Sequence, residues 1–136
     1  MGFQDFCKSI GNGGCLAAVY VRASLGKNTS PTMLFDALFT AAKLGIIDAN
    51  DDCYVRDAIQ LMRLVNPSKT YSVIKQKISS IEELKGQLAA VNFSRGRANH
   101  WVLVDKGQII FDSLENSQCV KYGKPVDARV LFMEDR

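Results

Sequence analysis

Three side chains in this sequence have the types and order of a thiol nucleophile site: Cys15, His100 and Asp112. Cys15 follows Gly13-Gly14 and opens the apolar run CLAAVYVRASL. A thiol attacks as thiolate, and a free cysteine is mostly protonated at neutral pH. Placement at a helix start lowers that barrier, because unpaired N–H groups and the helix dipole favour a negative sulfur. The backbone N–H of Cys15 can also face a developing oxyanion. His100 is the single histidine and hence the one candidate base, and Asp112 can hold one ring nitrogen and fix the tautomer.

Strand parity sets a condition on that pairing. His100-Trp101-Val-Leu-Val-Asp105 and Ile109-Ile-Phe-Asp112 read as two strands joined at Lys106-Gly107. A strict two-residue turn pairs Asp105 with Gln108 and places Asp112 opposite Trp101, on the wrong face for His100. A three-residue turn, or a bulge, pairs Asp112 with Val102 and restores the shared face. Ser113 and Asn116 are the substitutes should Asp112 fail to reach. Arg95 and Arg97, just upstream, border any cleft at His100 and favour an acidic group there. Trp101 alternates away from His100, as a core residue does, though beside a site it can shield an ion pair from water.

Cys7, Cys53 and Cys119 lack these surroundings and read as small buried hydrophobes. No C-x-x-C pair occurs, so no zinc site is expected, and no cofactor.

The elements that must position the site divide the chain in two. Residues 1–14 end in Gly11-Asn-Gly-Gly14 and read as a loop. Cys15–Leu25 is apolar on nearly all sides, as a central buried helix is, and Gly26 ends it. Ser30-Pro31 starts a second helix whose stripe, Met33, Leu34, Ala37, Leu38, Ala41 and Leu44, runs to Gly45. After a connector at 46–51, a third helix is expected over Asp52–Val65, stopped by Asn66-Pro67. Then the pattern becomes β: a strand at Thr70–Ile74, a capping box at Ser80-Ile-Glu-Glu83 before a short helix to about Gln87, and a strand at Leu88–Phe93. A polar loop at Ser94–Asn99, the His100 hairpin, a loop at Leu114–Pro125 and a closing strand at Ala128–Met133 complete the chain. Helices first and strands second indicate one α+β domain over residues 1–136, with a helical part at about 15–66 and an antiparallel sheet at about 69–133.

The chain has 136 residues, 47% of them hydrophobic and 23% charged, with a net charge of +3, which suits an ordinary globular protein and not a dedicated nucleic-acid binder. The helices flanking Gly45 have a helix-turn-helix layout, but the second carries only Arg56 and Arg63 with Asp57 between them, a poor phosphate-binding face. No apolar run approaches the ~20 residues that span a bilayer, and Met1–Ile10 lacks a signal-peptide apolar region, so a cytoplasmic location with reduced thiols is expected.

Taken together, the order of Cys on a helix, His opening a strand and Asp ending the next strand resembles the papain-like cysteine peptidases, in particular their small bacterial members. Gly-Gly-Cys15-Leu-Ala-Ala-Val-Tyr-Val-Arg resembles the nucleophile helix of NlpC-type cell-wall peptidases. Ile81-Glu-Glu-Leu-Lys through Ala90-Val-Asn-Phe to His100-Trp-Val-Leu-Val is similar to bacteriocin-leader-processing peptidases. The resemblance covers residues 10–23 and 80–114. It implies a papain-like fold and hydrolysis of a peptide or peptidoglycan-like amide through a thioester, with Cys15 attacking, His100 moving the proton and Asp112 orienting it. Two positions depart from it: Ser9 stands where the oxyanion glutamine is usual, leaving Asn12 and Gln4 as candidates, and Gly14 stands where NlpC-type enzymes carry aspartate. A binding or regulatory module with a degenerate site is the alternative.

Overall fold

Ser30 and Asp57 show how locally the helices are written. Each lies in extended backbone and accepts a hydrogen bond from the N–H three residues on, Met33 at 3.2 Å and Gln60 at 3.0 Å. A computed structural model describes residues 3–136, Phe3 by its backbone alone. The helices are α1 (Phe3–Gly13), α2 (Cys15–Leu25), α3 (Pro31–Lys43) and α4 (Ala58–Val65), with a two-stranded antiparallel ribbon of β1 (Ile47–Asp48) and β2 (Tyr54–Val55) between the last two. The strands β3 (Lys69–Lys77), β4 (Ala89–Arg95), β5 (Ala98–Asp105), β6 (Gln108–Phe111) and β7 (Lys124–Asp135) follow, with α5 (Gln118–Tyr122) before the last. The protein is thus α+β, with N-terminal helices and a C-terminal five-stranded antiparallel sheet of order β3-β7-β4-β5-β6. The chain divides into two compact units, one reaching to Thr70 and including Asp135–Arg136, the other Tyr71–Glu134.

In the helical unit α2 is central. Ala17 to Val21, Ala23 and Ser24 are all buried, and α2 packs on α3 and α4. Phe6 of α1 is fully buried and meets the rings of Phe35 and Phe39 edge-on, at 5.4 and 5.1 Å between centroids. Asn66 closes α4 onto α2 by donating to the Ser24 carbonyl at 3.0 Å.

The sheet unit has its own core. Val91 and Phe93 of β4, Val102 and Val104 of β5, and Ala128 and Val130 of β7 share one sheet face, packed with Ile78, Leu84 and Cys119. The capping box forms as expected: Ser80 accepts from Glu82 N–H, and Glu83 accepts from the Ser80 N–H at 2.8 Å.

Several sequence expectations need correction. Residues 3–13 are helical, not a loop. Glycine propensity argues against a helix here, but burial of Phe6 and Ser9 outweighs it, and Gly13 is required by contact: a Cβ there would stand 2.3 Å from the Asp52 carbonyl oxygen. The connector at 46–51 contains β1. The third helix begins at Ala58 and not Asp52, because Asp52 and Cys53 adopt positive φ in the turn between β1 and β2. The short helix after Ser80 ends at Leu84, where Lys85 turns left-handed. The loop expected at Ser94–Asn99 is a tight hairpin in which Arg95 pairs with Ala98. The loop expected at 114–125 contains α5, and β3 and β7 outrun the strands expected at 70–74 and 128–133. No described helix is long and apolar enough to cross a membrane.

Candidate functional site

Each compact unit carries one half of the expected chemistry. In the helical unit, Cys15 is the first residue of α2 and is half-buried. Gly14 caps the helix without a side-chain bond, and the first bond of α2 runs from the Ala18 N–H to the Gly14 carbonyl at 2.9 Å. Gly14 itself lies in right-handed helical backbone, so Cys15 stands where one helix passes into the next. α1 leads straight into this point through a bond from the Gly14 N–H to the Ile10 carbonyl at 2.8 Å.

The oxyanion candidates Gln4 and Asn12 are both exposed on α1. Ser9, at the position where the glutamine is usual, is buried with its hydroxyl 3.3 Å from the Cys53 sulfur. Burial pushes the Cys53 thiol above its ordinary range, and the Ser9 bond offsets this only in part. Cys119 is buried in the sheet core and Cys7 is exposed.

In the sheet unit, His100 and Asp112 meet. His100 Nε2 lies 2.7 Å from Asp112 Oδ1, with side chains only 5% and 10% exposed. The turn is the shortest possible. Asp105 pairs with Gln108, and Lys106 and Gly107 take φ of 52° and 75°, the mirror-image turn that suits a right-twisted hairpin. By itself this register puts Asp112 on the wrong face. It is changed one step later: Val104 pairs with Ile109, but Leu103 pairs with Phe111, so Ile110 is an extra residue. Continued, the shifted register sets Asp112 opposite Val102, on the face of His100.

Asp112 is held by more than the imidazole. Its Oδ1 accepts from the Leu114 N–H at 2.9 Å and its Oδ2 from the Ser117 N–H at 3.4 Å. These backbone partners were missed in the sequence, although Asp followed by Ser-Leu-Glu-Asn-Ser is the signature of a side chain that closes its own turn. Ser113 and Asn116, the substitute orienters, are exposed. A carboxylate acceptor on Nε2 places the ring proton there and the lone pair of neutral imidazole on Nδ1. In that tautomer Nδ1 is the ring atom able to accept a proton.

The cleft candidates separate. Arg95 shares the His100 face and donates to Gln118 Oε1 at 2.6 Å. Arg97 is exposed in the β4–β5 turn. Trp101 points to the opposite face, where the Arg129 guanidinium stacks 5.1 Å from its ring centroid. Among the described residues, no three His, Cys, Asp or Glu side chains converge as metal ligands. No family model matches the chain, and no curated protein or solved structure matches it either.

Proposed function

We propose that this protein is a thiol-dependent amide hydrolase acting on a peptide or peptidoglycan-like substrate in the cytoplasm. The reading is carried by the buried His100–Asp112 pair, which a β-bulge brings onto one face against the register of the turn. A bulge that re-aims one carboxylate at a protein's single histidine is the kind of local irregularity found beside active sites. The helix-start position of Cys15 supports it independently.

In this reading His100 Nδ1 accepts the Cys15 proton, and the thiolate attacks the amide carbonyl to give a tetrahedral oxyanion. The C–N bond breaks as imidazolium returns the proton to the leaving amine, leaving an acyl thioester on Cys15. Water, deprotonated by His100, then attacks the thioester and releases the carboxylic acid and the thiol. Asp112 stabilises the imidazolium formed in each half and keeps the ring aimed.

The test is cleavage of an internally quenched peptide library by the full chain and by Cys15→Ala and His100→Ala. Each variant is expected to lose activity by about three orders of magnitude, with a thioester adduct trapped on Cys15 alone. Undiminished cleavage by Cys15→Ala refutes the proposal. One observation favours a second reading, a degenerate binding module: Ser9, at the usual place of the oxyanion glutamine, is committed to Cys53. In that case His100→Ala leaves the reactivity of Cys15 unchanged.

A further inference from the structure

The sheet face bearing His100 also bears a cluster that the thiol chemistry does not use. Phe93 pairs directly with His100, and Arg95 pairs with Ala98. Arg95 is therefore the diagonal neighbour of His100 on the same face, a relation that places residues about 7–8 Å apart. α5 lies over this face, with Cys119 in the core beside Phe93. From α5, Gln118 accepts the Arg95 Nη1–H at 2.6 Å, and the Tyr122 ring centroid lies 5.1 Å from the guanidinium carbon. The Lys121 ammonium lies 5.3 Å from the same ring.

Two cations thus converge on one aromatic ring that is itself 60% exposed. Neither Arg95 nor Lys121 has a carboxylate partner among the described residues. Like charges gathered at one spot repel until an anion joins them. Gln118 occupies one donor of the guanidinium fork and fixes its plane, while the remaining donors keep the geometry that a carboxylate accepts in pairs.

We infer that Arg95, Lys121 and Tyr122 form a carboxylate-binding subsite beside His100, which selects an amide substrate with an acidic side chain next to the bond that is cut. The catalytic meaning of the subsite rests on the hydrolase reading, whereas the binding of a carboxylate does not. Arg95 supplies the fork, Lys121 a second charge, and Tyr122 a rigid apolar wall along which the methylenes of a glutamate side chain lie.

The experiment is a two-dimensional NMR titration of the isotopically labelled full chain with N-acetylglutamate α-amide and, separately, N-acetylglutamine α-amide, which differ only in the side-chain carboxylate. The glutamate probe is expected to shift the Arg95 Nε–H and Tyr122 ring signals saturably, and the glutamine probe to leave them in place. Arg95→Gln is expected to raise the apparent Kd about tenfold, and Lys121→Gln, an exposed change that leaves the fold alone, about threefold. Equal shifts by both ligands, or glutamate binding undiminished in both variants, overturn the subsite. A second arm compares hydrolysis of quenched peptides with Glu or Gln beside the cleaved bond. Cleavage without preference for Glu overturns the selective role and leaves the hydrolase reading standing. Glu-specific binding without cleavage supports the subsite and counts against the hydrolase.

Discussion

Asp112 is the residue on which the sheet half of the site depends. Its two oxygens satisfy His100 and two backbone N–H groups in a place that is 10% exposed. Asp112→Ala leaves three donors short of an acceptor, and a destabilisation of about 2–4 kcal/mol is expected in urea unfolding. Asp112→Asn keeps the shape but loses the charge, so under the proposed hydrolase mechanism kcat/KM is expected to fall at least about a hundredfold with a smaller change in stability. Glu83 offers a pH test of the fold apart from the site. Its bonds from the Ser79 and Ser80 N–H groups hold its carboxyl below the usual carboxylate range. A depressed folded pKa adds stability above the unfolded pKa and loses it as pH falls through the folded one. Glu83→Gln is therefore expected to destabilise at neutral pH, with the difference vanishing in acid when both proteins are followed by thermal unfolding.

At the scale of elements, the β5–β6 hairpin does what neither strand does alone. The Lys106-Gly107 turn was legible as a turn, and the parity condition on Asp112 was legible with it. The bulge was not, because nothing in Ile109-Ile110-Phe111 distinguishes a residue that is paired from one that is extra. Inserting one alanine between Phe111 and Asp112 sets the alanine opposite Val102 and carries Asp112 to the Trp101 face. The expected outcome is loss of the downfield His100 Nε2–H proton signal and of the proposed hydrolysis, with the hairpin itself retained. α1 was hidden for a different reason: glycine propensity argues against a helix, and only the tertiary contact of Gly13 with Asp52 shows why glycine is needed there. Gly13→Ala forces a Cβ to within 2.3 Å of a backbone oxygen, and a loss of more than about 2 kcal/mol is expected from thermal unfolding.

For the whole molecule, the change from helical to strand patterning near Asn66-Pro67 coincides closely with the division at Thr70–Tyr71. Capping residues and long apolar periodicities made the helices and main strands readable, since those signals are local. Strand lengths, the β1–β2 ribbon and α5 were not, because pairing partners and a short helix's packing are decided by distant residues. The proposed function makes one chemical claim above the others: that Cys15 reacts as a thiolate because His100 takes its proton. Competitive alkylation by limiting iodoacetamide, read for all four cysteines by mass spectrometry, tests it most directly. In the wild type Cys15 is expected to label at least about tenfold faster than exposed Cys7, with buried Cys53 among the slowest, and His100→Ala is expected to bring Cys15 down to the rate of Cys7. A Cys15 that labels no faster than Cys7, or whose rate His100→Ala leaves unchanged, contradicts the claim.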